Sequence, residues 1–421
     1  MFRLCLFDLD NTLVSTDDVE KLRILSKNPD GTLFEQLTEA LDSDTDRVIY
    51  SPELLDQIKA QFPDLMLGVF TRSPRRYADT VLELAYPGFE WDVLVAYGDV
   101  GRTKPYRDGI AYAMDKVGVK YRREVILVGD NDIDIRAAYH CGCLVALDKS
   151  DWPAKWNPEH WRAQGRMPDA VIENPQLIIE VLTSYERFLP ELERLFENGG
   201  KPLGIWHRFD KIGHFIPSSV GGDNTSYPIY ACGRSFANYA SLEDRKKWHK
   251  LSQSIAEHKE ATAFPREWLL AVRHFIEDVV VIACPVKKPD VIITAVPARP
   301  GRTPRLEHLL KQLKDYFEAK PIKNIHVATA PGLLAYKEGV KSQHGEHLGA
   351  HARFLNVRDH LHVPKSSAVD AKAIYLVIDD VVTTGASLIY AAQYLKEKGA
   401  ADVRCLAFAK NVSDVLPKGE K

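Results

Sequence analysis

Residues 6–13 read LFDLDNTL, and the reading of this octapeptide decides the fold. It completes an apolar run that starts at Phe2, FRLCLF, and sets Asp8 and Asp10 just beyond that run. If strand geometry persists, the two carboxylates, two residues apart, point to the same side. Carboxylates that close repel each other. A divalent cation resolves the repulsion, and Mg2+ suits one or two carboxylates together with a phosphate. A carboxylate so placed can also act as a nucleophile and form an acyl-phosphate. Read alone, DLDNT fits equally well a turn that caps a helix.

The surroundings shift that balance. Apolar runs recur at LMLGVF, VLVAY, EVILVG and CLVAL, with helical patterns such as PELLDQIKAQF and RYADTVLELA between them. Strands alternating with helices predict a parallel sheet covered on both faces. A polar group that suits phosphate or metal follows three of these strands: Thr71 in GVFTRS, Lys104 in RTKPY, and Asp130 with Asp134 in ILVGDNDID. In open α/β sheets, ligands bind at the carboxyl ends of the strands.

The order DxDxT, then Thr, then Lys, then GDxxxD closely resembles the haloacid dehalogenase (HAD) superfamily of phosphohydrolases over residues 1–150. The resemblance implies a Rossmannoid α/β core that hydrolyses phosphomonoesters with Mg2+. It implies that Asp8 attacks phosphorus, and that Asp10 protonates the leaving oxygen and then activates water. Thr71 and Lys104 would hold the transferring oxygens. Asp8, Asp10, Asp130 and Asp134 would form the metal site. An Asp at position 10 favours phosphate substrates in that superfamily. Residues 15–60, with their NPDG and DSDTD turn signals, are expected to form a small cap over an open site.

A second acidic loop lies near the other end of the chain. An apolar run, AIYLVI, leads into VIDDVVTTGAS, residues 377–387, and a helical run follows. Backbone N–H groups of a Thr/Gly loop entering a helix form an anion site. Thr383, Thr384 and Ser387 add hydroxyl donors, and Gly385 lets the backbone approach a ligand. Asp379 and Asp380 would repel phosphate and instead suit hydroxyls that donate hydrogen bonds. Phosphate on one side and vicinal hydroxyls on the other describe ribose 5-phosphate.

This segment resembles the phosphoribosyl-pyrophosphate (PRPP) loop of type I phosphoribosyltransferases. TAVPARPGR, KSQ at 341–343, Arg353 and Asn356-Val357 extend the likeness to the ComF-like group over about 276–412. The resemblance implies that Asp379 and Asp380 contact ribose hydroxyls and that 383–387 wraps the 5-phosphate. It gives Arg299 and Arg302, in the 298–302 loop, to pyrophosphate with Mg2+, and makes 337–353 a flap. Lys341 and Arg353 are candidates to neutralise pyrophosphate, or are ordinary surface charge. The cysteine zinc ribbon common ahead of ComF-like domains has no counterpart here.

These readings predict an α/β chain with two parallel-sheet domains, a HAD core and a transferase fold, joined by a mainly helical connector. Residues 151–200 are read as linker and connector, 201–275 as a hood, and 276–421 as the transferase. The aromatics of GIWHRFDKIGHF either stack a base or fill a core. Another strand is expected at DVVVIACP, residues 278–285.

Bulk properties agree with an ordinary globular protein. The chain has 421 residues, 45% hydrophobic and 27% charged, with a net charge of −3. Such charge gives no support to a general nucleic-acid or membrane surface. Six cysteines without a CxxC pair argue against a zinc ribbon or a disulfide framework. No membrane span is expected. The N-terminus runs straight into a strand, with no room for a signal peptide's apolar core, so a cytoplasmic setting is expected.

Three functions fit. In the first, a bifunctional enzyme makes or consumes a phosphoribosyl compound from PRPP and dephosphorylates a related small metabolite. In the second, the transferase-like half senses PRPP or a nucleotide and regulates the phosphatase. In the third, the phosphatase trims nucleic-acid ends, which leaves a nucleic-acid partner open.

Overall fold

Six strands build the first sheet: β1 (Leu4–Phe7), β2 (Met66–Pro74), β3 (Val93–Tyr97), β4 (Val125–Gly129), β5 (Leu144–Asp148) and β6 (Ala170–Ile172). They run parallel in the order β3-β2-β1-β4-β5-β6. Strands β1, β4 and β5 are buried along their whole length, as continuous apolar runs in a doubly covered sheet should be. Phe7 pairs with Val69 of β2 and with Val128 of β4. The residues just past these positions, Asp8, Thr71 and Asp130, therefore emerge at one level on one edge.

The computed structural model describes residues 1–27, 32–42, 45–201, 206–215, 225–281, 290–341 and 349–413. The first compact unit spans Met1–Phe188 and also takes in Ala237–Trp248. Residues 151–188 are thus no linker. They supply edge strand β6, which pairs with β5, and the helix Leu177–Ser184, whose Ile178, Val181 and Leu182 join the core. The segment 237–248, expected in a hood, is held here by Arg245. That buried guanidinium binds the Asp169 carboxylate and donates to the Cys143 carbonyl at 2.7 Å. The helix Pro52–Gln61 buries Leu54, Leu55 and Ile58 in the sheet's core, so the cap-like insertion ends before it, near residue 50.

The second unit, Leu189–Phe236 with His249–Val412, contains a mostly parallel sheet. Its strands are β7 (Asp210–Phe215), β8 (Ser226–Ala231), β9 (Arg234–Phe236), β10 (Val291–Ala295), β11 (Val327–Thr329), β14 (Ile374–Val382) and β15 (Asp402–Val412). The order is β11-β10-β14-β15-β8-β7, with β9 also on β15 and only β7 antiparallel. A separate antiparallel pair joins β12 (Ala335–Tyr336) and β13 (Leu361–His362). The chain is α/β throughout both units.

The strand expected at 278–285 does not form over its described part. Ile276–Val281 continues the preceding helix as a π-helical turn, and 282–289 lie outside the described residues. A run of β-branched residues directly after an amphipathic helix is ambiguous by periodicity alone. Among the described residues, no helix is long and apolar enough to cross a membrane.

Candidate functional sites

At the carboxyl edge of the first sheet, Lys104 Nζ lies 2.8 Å from Asp8 Oδ1 and 2.6 Å from Asp134 Oδ1. Asp8, Asp130 and Asp134 each bring a carboxylate oxygen to within 4.8 Å of the others. Three acids face one lysine in a buried place. Burial pushes the Asp8 carboxyl up to about 7; Lys104 pulls it down, and Asp134 and Asp10 add to the rise. Burial, then Asp134 and Asp8, push Asp130 well above the carboxylate range. Burial alone would lower Lys104, but Asp134 and Asp8 more than reverse it, so its ammonium is held charged.

These residues fit a divalent cation. The negative charge exceeds what one lysine neutralises, and Asp134 Oδ1 is a buried acceptor with no well-directed hydrogen bond. Its Oδ2 accepts from the Asn131 N–H at 3.1 Å, while the Asn131 side chain accepts from Ile133 N, which fixes the first turn of the helix Asp132–Cys141. Gly129 has to be glycine: a Cβ there would sit 2.3 Å from the Asp134 carboxyl carbon.

Asp10 does not join this group, although the sequence reading gave it to the metal. Its carboxylate is caged by hydroxyls, accepting from Ser73 Oγ at 2.6 Å, Thr16 Oγ1 at 2.9 Å and Tyr77 OH at 3.0 Å. Arg23 Nη1 lies 3.4 Å away. Thr71 Oγ1 is 3.5 Å from Asp10 and accepts from the Ser73 N–H at 3.0 Å. The sequence reading missed Thr16, Arg23, Ser73 and Tyr77. The signal for Ser73 was its alternation with Thr71 along β2, which puts both side chains on the same face. Trp152 was missed as well; its indole N–H donates to the Asp130 carbonyl at 3.3 Å, in a ring cluster with Trp156 and His160.

A haloacid dehalogenase-like hydrolase family profile matches residues 32–147. The N-terminal region carries a HAD-like hydrolase domain. The matched segment contains Thr71, Lys104, Asp130 and Asp134, and Asp8 and Asp10 precede it. No curated protein matches the chain. Solved structures similar to it include β-phosphoglucomutase from Clostridium difficile, at 14% identity over 45% of this chain and 99% of that one, with a TM-score of 0.33. CbbY from Rhodobacter sphaeroides, in complex with xylulose-(1,5)bisphosphate, aligns at 16% identity over 42% and 96%, with a TM-score of 0.32. A HAD-superfamily hydrolase from Ehrlichia chaffeensis aligns at 18% identity over 44% and 98%, with a TM-score of 0.29.

A second acidic loop lies in the second sheet, at the end of β14. Ile378 pairs with Ala295, so the chain leaving β10, residues 296–302, runs beside Asp379 and Asp380. Burial raises the Asp379 carboxyl to about 7, while Arg305 and Arg299 act against the rise. Arg305 also binds the Asp380 carboxylate. Gly385 adopts φ 77°, and the helix Ala386–Glu397 starts with no side-chain cap. The sequence reading expected anion donors at the first N–H groups of this helix, which no side chain caps. Ser387 Oγ is 3.5 Å from Tyr336 OH, and Thr383 is exposed.

The expected pyrophosphate residues divide. Arg299 donates to the Lys341 carbonyl at 2.7 Å and lies near Asp379. Lys341 is further fixed through its backbone, which exchanges two bonds with the Asn356 side chain at 3.0 and 3.1 Å. Arg302 is exposed, and Arg353 is half-buried with its Nε making no hydrogen bond. Arg305, which sequence reading missed, is the arginine in contact with the acid pair. Residues 342–348 of the expected flap lie outside the described residues. Of the aromatics expected to stack a base or fill a core, Trp206 is 82% exposed, while Phe209 packs against Phe275.

Proposed function

We propose that this chain is a bifunctional enzyme: a Mg2+-dependent phosphomonoesterase in its HAD-like domain and a PRPP-dependent phosphoribosyltransferase in its second unit, acting on related small phosphorylated metabolites. One observation carries the phosphatase half: Asp8, Asp130, Asp134 and Lys104 converge at the carboxyl edge of the first sheet. Asp8 attacks phosphorus, a carboxylate–phosphorus bond forms, and the ester oxygen leaves with a proton from Asp10. Water then attacks the aspartyl-phosphate and gives its proton to Asp10, which releases inorganic phosphate and restores Asp8. Lys104 and Thr71 hold the non-bridging oxygens. Mg2+, when held by Asp8, Asp130 and Asp134, neutralises charge on the transferring group. Asp10 has to leave at least one of its hydroxyl partners to reach the leaving oxygen.

For the transferase half, the supporting observation is the uncapped helix start at Gly385 beside the Asp379–Asp380 pair. Its 5-phosphate would lie on the N–H groups after Gly385, its ribose hydroxyls would donate to the two acids, and Arg299 would face the pyrophosphate. The acceptor nucleophile bonds to C1 as pyrophosphate departs. The product keeps the 5-phosphate, which is an ester of the kind the first domain hydrolyses.

Mass spectrometry of a cell extract incubated with Mg2+ and PRPP, comparing wild type with Asp8→Asn, tests this. The expected result is a phosphoribosyl product that accumulates with the variant and appears dephosphorylated with wild type. If PRPP binds saturably and changes the phosphatase rate without being consumed, the second unit is a regulator and the bifunctional reading fails.

A further inference from the structure

Glu191, His207 and His274 come from three separate segments of the second unit, and each brings one ligand atom to within 4.8 Å of the others. We propose that they hold a transition-metal cation, Zn2+ in the first place, in a site separate from both phosphate sites. The proposal rests on neither of the activities above.

The donor set points away from Mg2+. Two imidazoles and one carboxylate are borderline ligands that Zn2+ favours, whereas Mg2+ prefers an all-oxygen shell. Two of the three ligands, Glu191 and His207, are also held by an outer partner. Glu191 is fully buried, and its Oε2 accepts from Arg194 Nε at 2.8 Å and Nη2 at 2.6 Å, which leaves Oε1 to face the histidines. His207 Nδ1 lies 2.7 Å from Asp278 Oδ2, and the same oxygen accepts from the His207 backbone N–H at 3.4 Å. A carboxylate on one ring nitrogen fixes the tautomer and leaves Nε2 as a lone-pair donor, the arrangement common around bound zinc.

The two imidazoles stack at 4.0 Å between centroids and 8° between planes, so one ring has to rotate about its side-chain torsion before both lone pairs meet at one cation. His274 Nδ1 is 2.6 Å from Glu191 Oε1. With metal–ligand bonds of about 2.0–2.1 Å, that pair opens by several tenths of an ångström to admit the cation. Charge agrees: Glu191 and Asp278 outweigh Arg194, so a dication enters a net negative place. The His207 and His274 side chains are 20% and 14% exposed, which gives a route from solvent to the fully buried Glu191. Asp278 is presented by the π-helical turn Ile276–Val281, an irregularity that recurs at functional sites. Three protein ligands leave a fourth position for water.

The test uses the full chain, stripped with a chelator and titrated calorimetrically with ZnCl2 in excess Mg2+, which occupies the carboxylate cluster of the first domain. One Zn2+ per chain is expected, with binding weakened about 100-fold or more in His207→Ala and His274→Ala and unchanged in Asp8→Asn. Asp278→Asn is expected to weaken it by roughly 10–100-fold. Co2+ is the second probe: its visible absorption should appear with wild type and vanish with His207→Ala. If His274→Ala fails to fold, His207→Ala decides, since its ring lies outside any helix and is the more exposed. The proposal is overturned if no Zn2+ binds, if the histidine variants bind as wild type does, or if Asp8→Asn alone abolishes binding.

Discussion

Two acidic loops sit at the carboxyl ends of β1 and β14, and they manage their charge in opposite ways. In the first domain, two carboxylates pair with a buried lysine and a third lies beside them, each placed by a strand end or a helix cap. In the second unit, the acid pair is answered by arginines, and the helix behind it is left without a cap. Burial raises an acid to about 7 in both places, Asp8 in one and Asp379 in the other. The first arrangement leaves an excess of buried negative charge that suits a cation. The second leaves free N–H donors that suit an anion. Acidic loops at similar places in two sheets therefore balance their charge differently, one against a lysine and the other against arginines.

The largest effect should come from the nucleophile. Asp8→Asn is expected to lower phosphomonoesterase turnover by about 10³-fold or more, read as released inorganic phosphate, while PRPP affinity in the second unit stays at its wild-type value. A loss of PRPP binding in the same variant would break the separation of the two loops.

Lys104→Met sharpens the comparison through stability. Removing one partner from a buried ion pair costs ~3–5 kcal/mol, because Asp8 and Asp134 are left facing each other. The urea midpoint should fall accordingly, and Mg2+ should recover part of the loss by supplying positive charge to the folded state alone. In the second unit, Arg305→Met should cost less, since its side chain and that of Asp380 are both partly open to water. Equal losses would mean that the two loops do not differ in kind.

A third experiment uses pH. The Asp379 carboxyl is raised to about 7 by burial, against an ordinary value near 3.9. The folded state therefore binds this proton more readily than the unfolded chain does. The stability this provides is fully present below about pH 4 and is lost as pH rises through about 7. Asp379→Asn removes the cost of burying the ionised acid. Its denaturation midpoint relative to wild type should therefore be higher at pH 8 than at pH 5, while stabilisation by added PRPP disappears. A pH-independent difference would mean that Asp379 is not buried as a titrating acid.

What the sequence made legible was the alternation of strand and helix and the polar residues just past each strand, because both follow from local periodicity. Asp8 and Asp134 meet at Lys104 because β1, which ends just before Asp8, lies beside β4, which leads into the helix that carries Asp134, and the apolar runs LCLF and VILVG mark both strands as fully buried. Strand β6 was hidden, since AVI is three residues long and the residue before it, Asp169, is tied to Val145 and Arg245 by contacts that no local pattern announces. The hydroxyl cage around Asp10 gathers Thr16, Ser73 and Tyr77 from three segments, and no spacing rule links them. Glu191, His207 and His274 were unread for the same reason. Contacts set by tertiary packing leave no periodic trace in the residues that make them.

The smallest effect contrasts the helix starts themselves. Asn131 caps the helix at Asp132 and accepts from the Ile133 N–H. Asn131→Ala should cost about 1 kcal/mol of stability, with or without phosphate present, because a cap is satisfied by the fold alone. Thr384 directly precedes Gly385, the residue at the start of the helix Ala386–Glu397, where no side chain caps the helix; Thr384→Ala is the matching substitution. It should leave the stability of the ligand-free protein unchanged and reduce only the gain in midpoint that PRPP provides. The discriminating quantity is thus the ligand dependence of each loss rather than its size. A helix start that is already capped has fewer donors to offer, whereas one left open gains stability when an anion arrives. If Thr384→Ala were to destabilise the ligand-free chain as much as Asn131→Ala does, the loop after β14 would be a structural cap, and the case for a phosphate there would fall with it.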